Sequence, residues 1–273
     1  MNDYGIRLQR QGHIAVITLD RPAKQNSFDQ HMWEALDKVV DELKTSLSRV
    51  IVLTGAGDKA FCAGFDVNPE NPLVKPLLVA METHDKGPAY DLIRRIRTST
   101  DSLVSLPVPV IAAINGLAYG GGAEIASRCD LRVMDPQAVI CFSEVRLGLM
   151  PDHGGVVGLT RLVGASRAAD LILTARKVGA GEAFQLGLTN RISAPGKALE
   201  EALALALIIA QNGPRAVRHA LAVIRKTDDL TTLAALELET EEAVTLIASG
   251  ECVHGVSAFL TRQKPEFPEP GES

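Results

Sequence analysis

The sequence predicts an α/β protein in which strands of a parallel sheet alternate with helices and a run of helices follows. Aliphatic runs at residues 14–19 (IAVITL) and 50–54 (VIVLT) end in turn-like segments and have the length of buried strands. Between them, residues 31–44 (HMWEALDKVVDELK) place apolar side chains at helical spacing, with Asn26 and Ser27 as candidate N-caps. A strand, a helix and a second strand in this order are typical of parallel-sheet proteins.

Further strands continue the pattern toward residue 150. Aliphatic runs lie at residues 108–116 (VPVIAAING), 131–135 (LRVMD) and 138–142 (AVICF), which brings the number of such units to at least four. Residues 67–88 interrupt the pattern with four prolines. We therefore predict a variable loop there, placed to shape specificity.

From about residue 180 the sequence predicts successive helices. They fall in GAGEAFQLGL (179–188), KALEEALALALIIAQN (197–212), PRAVRHALAVIRK (214–226) and LTTLAALELETEEAVTLIAS (230–249). We divide the chain into a core with the active site, residues 1–195, and a helical assembly region, residues 196–273. The last nine residues, PEFPEPGES, contain three prolines and no apolar period, and we expect them to be mobile.

Composition excludes several classes of protein. With 46% hydrophobic and 22% charged residues, the 273-residue chain is neither disordered nor fibrous. The longest apolar run, residues 202–210, has nine residues, whereas a membrane span needs about 20. We expect no membrane contact, and we expect this run to form a helix that packs between subunits. A net charge of -5 argues against a nucleic-acid partner, because neutralising a phosphate backbone needs clustered cations.

The N-terminus and the cysteines indicate the cytoplasm. The first thirteen residues, MNDYGIRLQRQGH, contain no apolar segment of a secretory signal. The four cysteines show no Cys-x-x-Cys spacing, so we predict packed side chains rather than disulfides, and we predict no metal.

The stretch NGLAYGGGAEIASRCD (115–130) carries the strongest chemical signal. A strand runs into a glycine triplet that opens a helix, and glycines at a helix entrance leave backbone N–H groups open toward an anion. Such donors stabilise an oxyanion that develops in a transition state. The triplet could also be only a tight turn, but Glu124 follows within a small, apolar run, where burying a carboxylate is costly. We therefore favour a catalytic site.

Two further segments complete the candidate site. The turn AFCAGFD (60–66) follows a predicted strand and could supply a second N–H donor to the same oxygen. In CFSEVRLGLMPDHGG (141–155), Glu144 lies between a strand and a glycine-rich turn, so two glutamates could divide acid and base duties. We take His153, which stands among glycines, as a loop residue rather than a catalytic one.

The chain resembles the enoyl-CoA hydratase/isomerase (crotonase) family over nearly its whole length. The resemblance rests on the order and spacing of ITLDRPAKQNS, VIVLTGAGDKAFCAGFD, PVIAAINGLAYGGGAEIASRCD, EVRLGLMPDHGG and GVSAFLTRQKPEF. It implies a superhelix of ββα units, of the fold shared by ClpP and crotonase, and a C-terminal helical region that forms trimers, often paired as hexamers. It also implies an acyl-CoA thioester substrate in fatty-acid metabolism, with coenzyme A entering as part of the substrate and no further cofactor.

The resemblance also implies residue roles. Backbone N–H groups of Phe65 and Gly121 would hold the thioester oxygen, and Glu124 and Glu144 match the glutamate pair of the hydratases. One glutamate would help water attack the β-carbon of a 2-enoyl thioester while Glu144 exchanges the proton at the α-carbon. Retention of both favours syn hydration, an enoyl-CoA hydratase activity, over double-bond isomerisation, which commonly keeps one acid at these places.

Contacts to the substrate are carried over in the same way. The predicted coenzyme A and substrate contacts are Ala23, Lys24, Gln25, Ala63, Phe65, Asp66, Val67, Asn68, Gly121, Asp152, Phe259 and Lys264, of which Phe259 and Lys264 would reach the nucleotide of a neighbouring subunit.

The turn at Asp152 departs from the common pattern. Many relatives have Pro-Gly-Ala-Gly-Gly where this chain has PDHGG, and the aspartate is similar to members that handle polar acyl groups, such as a carnitine-derived (carnityl or crotonobetainyl) thioester. Asp152 could hydrogen-bond a substrate or Glu144, or it could be a structural turn residue. An RNA-binding activity found in some relatives is disfavoured, because the early helix carries four acids against Lys38 and Lys44.

Overall fold

Two β-sheets form the framework of the protein, and a computed structural model describes it for residues 2–269. The first part of the chain forms β1 (Asn2–Asp3), β2 (Ile6–Gln11), β3 (Ile14–Leu19), α1 (Gln30–Thr45), β4 (Val50–Gly55), β5 (Ala60–Cys62), α2 (Val74–Thr83), α3 (Gly87–Val104), β6 (Val110–Ile114), β7 (Leu117–Tyr119), α4 (Gly121–Arg128), β8 (Leu131–Met134) and β9 (Val139–Cys141). Short 3-10 turns follow β3, at Pro22–Lys24, and β9, at Glu144–Leu147.

Helices dominate the second part of the chain. They are α5 (Gly155–Val163), α6 (Ala165–Thr174), α7 (Ala180–Leu186), α8 (Ala198–Ala210), α9 (Pro214–Thr227), α10 (Thr232–Ala248) and α11 (Cys252–Thr261), with the short strands β10 (Val178–Gly179) and β11 (Arg191–Ile192) before and after α7. The four predicted helices correspond to α7, α8, α9 and α10.

Strand order shows that the fold is a repeated ββα superhelix. The large sheet has the order β1-β2-β3-β4-β6-β8-β11 and the small sheet the order β10-β9-β7-β5. Each of the pairs β4–β5, β6–β7 and β8–β9 sends its first strand to the large sheet and its second to the small one. The first strands pair in parallel with those of the preceding unit. This is the crotonase-like α/β architecture that the sequence predicted.

Period-two alternation gives the large sheet two buried faces. Ile51 and Leu53 of β4 face the main core, which also contains the apolar sides of α1 and α3. Val50 and Val52 of the same strand face the other side, where α8 covers the sheet. Because both faces are covered, the strands are continuous aliphatic runs.

One face of the apolar run of α8 packs within its own chain, and the expected role of this run between subunits stays a prediction. Ala202, Leu205 and Ala206 are buried against the large sheet. Small side chains on this face let the helix lie close to the strands. Only the opposite side of α8 leaves large apolar groups exposed, at Leu207 and Ile208.

The N-cap of α1 is Asp29, not Asn26 or Ser27. The Asp29 carboxylate accepts the backbone N–H of Met32 at 3.0 Å. Asn26 is fully buried instead and has a left-handed φ of 57°. Its side-chain amide donates to the carbonyls of Ala56 and Ala60, at 3.0 and 2.8 Å, so it ties the loop before α1 to the strand-turn-strand segment that follows.

Residues 67–88 are not a simple loop, because α2 and the start of α3 lie within them. Pro76 and Pro88 occupy the first turns of these two helices. Proline is tolerated there, since the first backbone N–H groups of a helix have no intrahelical acceptor. Prolines that suggested a break therefore mark two helix starts.

The C-terminal region is tied to the core by two arginines. Arg225 of α9 donates to both carboxylate oxygens of Asp130, at 2.8 and 2.6 Å, and to the carbonyls of Leu106 and Val108. Buried Arg49 holds the Phe267 carbonyl and the Glu269 carboxylate, so the described start of the predicted mobile tail has partners. Residues 270–273 lie outside the described part. The division at residue 195 stays a prediction.

Between residues 2 and 269, no single helix is both long and apolar enough to span a membrane. Helices α10 and α11 reach that length and apolarity only together, across a bend of 70°.

Candidate active site

The glycine triplet forms the entrance of α4 through backbone conformations that other residues resist. Gly120 has φ 51° and ψ −126°, and its N–H donates to the Cys141 carbonyl at 3.0 Å, which fixes the turn to the small sheet. Gly121 is the first residue of α4, so its N–H has no intrahelical acceptor. A Cβ on Gly122 would lie 2.1 Å from the Cys62 carbonyl oxygen. The turn therefore packs directly on β5.

The second predicted turn lies against the first. Gly64 has a φ of +91°, and a Cβ there would lie 2.8 Å from the backbone nitrogen of Gly121. Phe28 donates to the Gly64 carbonyl and accepts from the N–H of Asp66, in an isolated parallel bridge to Phe65. Because these two bonds face Phe28, the N–H of Phe65 points away from that bridge. The structure thus brings together the segments of the two predicted donors, Phe65 and Gly121.

Glu124 is 1% exposed, and the loop before α5 holds its carboxylate. Oε2 accepts the backbone N–H groups of His153 at 2.8 Å and Gly155 at 2.9 Å. A Cβ on Gly155 would lie 2.3 Å from Cγ of Glu124, so this glycine makes room for the carboxylate. Two N–H donors offset the cost of burying the charge.

Glu144 stands at the start of the 3-10 turn after β9, beside the entrance of α4. Its Oε1 lies 3.4 Å from where a Cβ of Gly120 would be. Both carboxyl oxygens are buried, and neither has a hydrogen-bond partner within residues 2–269. Burial raises the pKa of Glu144 to about 8, and the charge of neighbouring Glu124 acts in the same direction. Glu144 is therefore mostly neutral at pH 7, which suits a proton donor.

His153 lies in the loop before α5, as predicted, but it is a buried member of this cluster. It is 5% exposed, and its ring lies edge-on to Trp33 with centroids 5.7 Å apart. Nε2 lies 3.1 Å from Oδ1 of Asp152, and Nδ1 lies 3.8 Å from Oε1 of Glu124. Burial opposes the charged ring, but hydrogen bonding to Asp152 and the charge of Glu124 outweigh it and raise the pKa of His153.

The size of the side chain is the one sequence signal that could have indicated this burial. The common Pro-Gly-Ala-Gly-Gly turn has a small alanine at the position where this chain has His153. Arg128 of α4 supports the same loop, since it donates to the His153 carbonyl at 3.0 Å and pairs with Asp101 at 2.8 Å. The loop is thus held from both sides.

Asp152, His153 and Glu124 also have the residue types of a metal site. One ligand atom from each lies within 4.8 Å of the others. The predicted absence of a metal therefore stays a prediction.

The predicted coenzyme A contacts fall into two groups, of which the first is brought together. Gln25 accepts the N–H of Ala63 at 2.9 Å, so the segment Ala23–Gln25 lies beside the turn that carries Phe65. The exposed side chains of Lys24 and Val67 flank this pair of segments.

Within the same group, Asp66 is engaged by its own chain. Arg21 pairs with its carboxylate at 2.7 Å, and the N–H of Asn68 donates to it at 3.1 Å. Burial opposes ionisation, but the hydrogen bond and charge of Arg21 lower the pKa of Asp66. Asp66 therefore shapes the loop.

Phe259 and Lys264 form the second group and lie apart. Phe259, on α11, is 82% exposed, and Lys264 follows the helix in an exposed segment. None of the contacts described above for the site includes either residue. Their predicted role belongs to a neighbouring subunit and stays a prediction.

Comparison with known proteins agrees with this fold. The chain belongs to the enoyl-CoA hydratase/isomerase family, whose model matches residues 9–270. The family is one of enzymes, and an acyl-CoA substrate is consistent with it.

Relatives of known name and structure cover nearly the whole chain. The short-chain-enoyl-CoA hydratase of Clostridium acetobutylicum is 33% identical over 95% of each chain, and enoyl-CoA hydratase EchA19 of Mycobacterium tuberculosis is 33% identical over the same shares. A crystal structure of an enoyl-CoA hydratase from Bacillus anthracis is similar with a TM-score of 0.88 and 32% identity, over 97% of this chain and 99% of that one.

Proposed function

We propose that the protein is an enoyl-CoA hydratase that adds water syn across the 2,3 double bond of a 2-enoyl-CoA thioester. The observation that carries the proposal is the pair of glutamates beside one helix entrance, Glu124 fully buried and Glu144 half-buried with both carboxyl oxygens shielded from solvent. Glu124 is held by two N–H donors, whereas both carboxyl oxygens of Glu144 are buried without a partner in the described chain. Two carboxyl groups with such different surroundings are suited to opposite roles, one as base and one as acid.

The reaction begins with binding of the thioester oxygen. In this proposal the N–H groups of Phe65 and Gly121 donate to it and stabilise the enolate that forms when water attacks. The positive end of α4 favours the same charge. One donor of this kind is worth about 3 kcal/mol of barrier.

The two glutamates then move the protons. The Glu124 carboxylate takes a proton from water while the water oxygen bonds to the β-carbon. The electron pair of the double bond passes to the thioester oxygen. Neutral Glu144 gives its proton to the α-carbon as the enolate collapses. Glu124 ends protonated and Glu144 ionised, and proton exchange between them or with solvent restores the starting state.

A panel of acyl-CoA thioesters analysed by mass spectrometry tests the proposal. Incubation with 2-enoyl-CoAs of increasing length, and with polar acyl variants such as a crotonobetainyl thioester, should give a product 18 Da heavier. A new product of unchanged mass from 3-enoyl-CoA would support the alternative, an isomerase. In that reaction Glu144 alone would move the proton, which its high proton affinity favours. Absence of turnover on every thioester would overturn both.

We also propose that the protein self-associates as a trimer or hexamer. Supporting this, α10 and α11 expose large apolar side chains: Leu233, Leu236, Val244, Ile247, Val253, Val256, Phe259 and Leu260. Light scattering after size exclusion should give a mass of three or six chains, and a monomer at micromolar concentration would contradict it.

A further inference from the structure

His153 is a buried titratable group that the proposed reaction leaves without a task. It touches the site twice. Its backbone N–H donates to Oε2 of Glu124 at 2.8 Å, and its ring faces Oε1 of the same carboxylate. A Cβ on Gly121 would lie 2.9 Å from its Cε1 atom, so the ring also packs beneath the helix entrance.

The distance between the His153 ring and Glu124 allows a charge interaction but no hydrogen bond. At 3.8 Å, Nδ1 is outside hydrogen-bond range of Oε1, and Nδ1 has no hydrogen-bond partner among the described residues. A positive ring at this separation favours the ionised carboxylate through space, because opposite charges within about 4–6 Å stabilise each other. It does so without occupying a lone pair of Oε1, which stays available to take a proton from substrate water.

Asp152 supplies the reason for the ring to be charged. Its Oδ1 lies 3.1 Å from Nε2, whereas Nδ1 faces Glu124, and one carboxylate oxygen of Asp152 lies within 4.8 Å of one of Glu124. The charged groups that face the ring are thus Asp152 on its own loop, Glu124 on α4 and Glu144 on the 3-10 turn. From α1 the ring meets only the indole of Trp33. The Arg128 guanidinium binds the backbone carbonyl of His153, not the ring.

We propose that His153 is a positioning residue, an imidazolium held by Asp152 that keeps Glu124 ionised as the base of the hydration reaction while Glu144 keeps the proton. The inference rests on the proposed hydratase function and deepens it. In this proposal Asp152 keeps the His153 ring positively charged, in addition to any contact with substrate.

The pH profile of kcat/KM tests the role of the ring. In His153→Gln the acid limb of the profile should move to higher pH, so that kcat falls more at acidic pH than at pH 8, while KM changes less than twofold. His31→Gln, at an exposed position on α1, is the matched control and should leave the profile in place.

A purely structural role predicts a different result. If His153 only filled space, His153→Gln would lower activity equally at all pH values, and an unmoved limb overturns the proposal. Thermal unfolding of each variant shows whether the fold is kept, and if His153→Gln does not fold, a fall in the titration midpoint of the His153 ring in Asp152→Asn decides instead.

The charge of the ring can be measured without turnover. Proton–carbon NMR of the histidine Cε1–H groups, with the His153 signal identified by its loss in His153→Gln, should show a midpoint above 6.5 that falls in Asp152→Asn. A midpoint below 6 overturns the inference even in an active enzyme. Conversely, a charged ring in a protein that hydrates no enoyl-CoA refutes the proposed function and leaves the imidazolium assignment intact.

Discussion

At the residue scale, the site depends on carboxyl groups that the fold treats differently. Glu124 has two N–H donors and Glu144 has a buried, unpartnered carboxyl group in the described chain. The sequence indicated both glutamates, because each follows a glycine-rich or strand-end segment. It did not indicate the environment of either, since the donors to Glu124 come from a loop some 30 residues away. The burial of His153 beside Glu124 was missed for the same reason.

Replacing each glutamate by the isosteric glutamine should distinguish its catalytic role from its structural role. We expect Glu124→Gln and Glu144→Gln each to cost at least about 2 kcal/mol of transition-state stabilisation, measured as kcat/KM for hydration. An amide oxygen can still accept the N–H groups of His153 and Gly155, so Glu124→Gln should fold. Loss of activity in Glu144→Gln alone would instead favour an isomerase.

The proton affinity of Glu144 predicts an alkaline limit to both activity and stability. Its pKa of about 8 lies above the ordinary 4.5, so the folded state keeps a proton that the unfolded state releases. This contribution to the free energy of unfolding is full below pH 4.5 and is lost progressively as the pH rises to about 8, by up to about 5 kcal/mol. Hydration should decline above pH 8. Denaturant unfolding should show Glu144→Gln gaining stability relative to wild type over this window, and a constant difference would contradict the assignment.

At the element scale, glycine contacts and prolines decide where helices begin. The aliphatic runs of β3, β4 and β6 could be predicted because strands covered on both faces are apolar throughout. The helices α7 to α10 could be predicted from apolar spacing. In contrast, α2 was missed because its proline lies in the first turn, where only the tertiary structure shows that the helix begins. The cap of α1 was misassigned because Asn26 binds β5 and its preceding turn instead.

Close contact between the entrance of α4 and β5 makes Gly122 hard to replace. In Gly122→Ala the new Cβ would stand 2.1 Å from the Cys62 carbonyl oxygen, and we expect a loss of about 2 kcal/mol or more in the free energy of unfolding. Gly181→Ala in α7 is the control, because nothing lies within 4 Å of its Cβ position. It should be neutral or slightly stabilising. Equal denaturation midpoints for both variants would show that the contact relaxes at no cost.

Arg225 of α9 binds Asp130, which follows the C-terminal end of α4. Arg225→Gln would remove the guanidinium that binds Asp130 and two carbonyl groups, although Asp130 would keep the N–H of Val110, and we expect a cost of about 2 kcal/mol in denaturant unfolding. The exposed pair of Arg161 with Asp229 offers a control, and Arg161→Gln should cost less than about 1 kcal/mol. If the two variants are equally stable, the partly buried pair adds nothing to the fold.

At the scale of the whole molecule, the repeated ββα units place the two predicted oxyanion turns and Glu144 at one edge of the small sheet. The units bring β5, β7 and β9 side by side, so the turns after these strands meet. One consists of residues 63–66, one opens α4, and one carries Glu144. Sequence order alone separates these groups by up to 80 residues, and the parallel pairing of the small sheet removes that separation. The family fold could therefore be predicted from motif order, whereas the contacts between turns required the structure.

The cover that α8 gives to the large sheet has a consequence during synthesis. The strands of this sheet are added in the order in which a ribosome releases them, yet the helix that covers their outer face begins only at Ala198. Until then Val16, Val52, Ile111 and Val133 form an uncovered apolar surface on the nascent chain. Such surfaces are the ones that chaperones bind and that aggregate when left alone. Translation arrest before residue 198 should therefore yield chains that need a holding chaperone, and release past residue 210 should end that need.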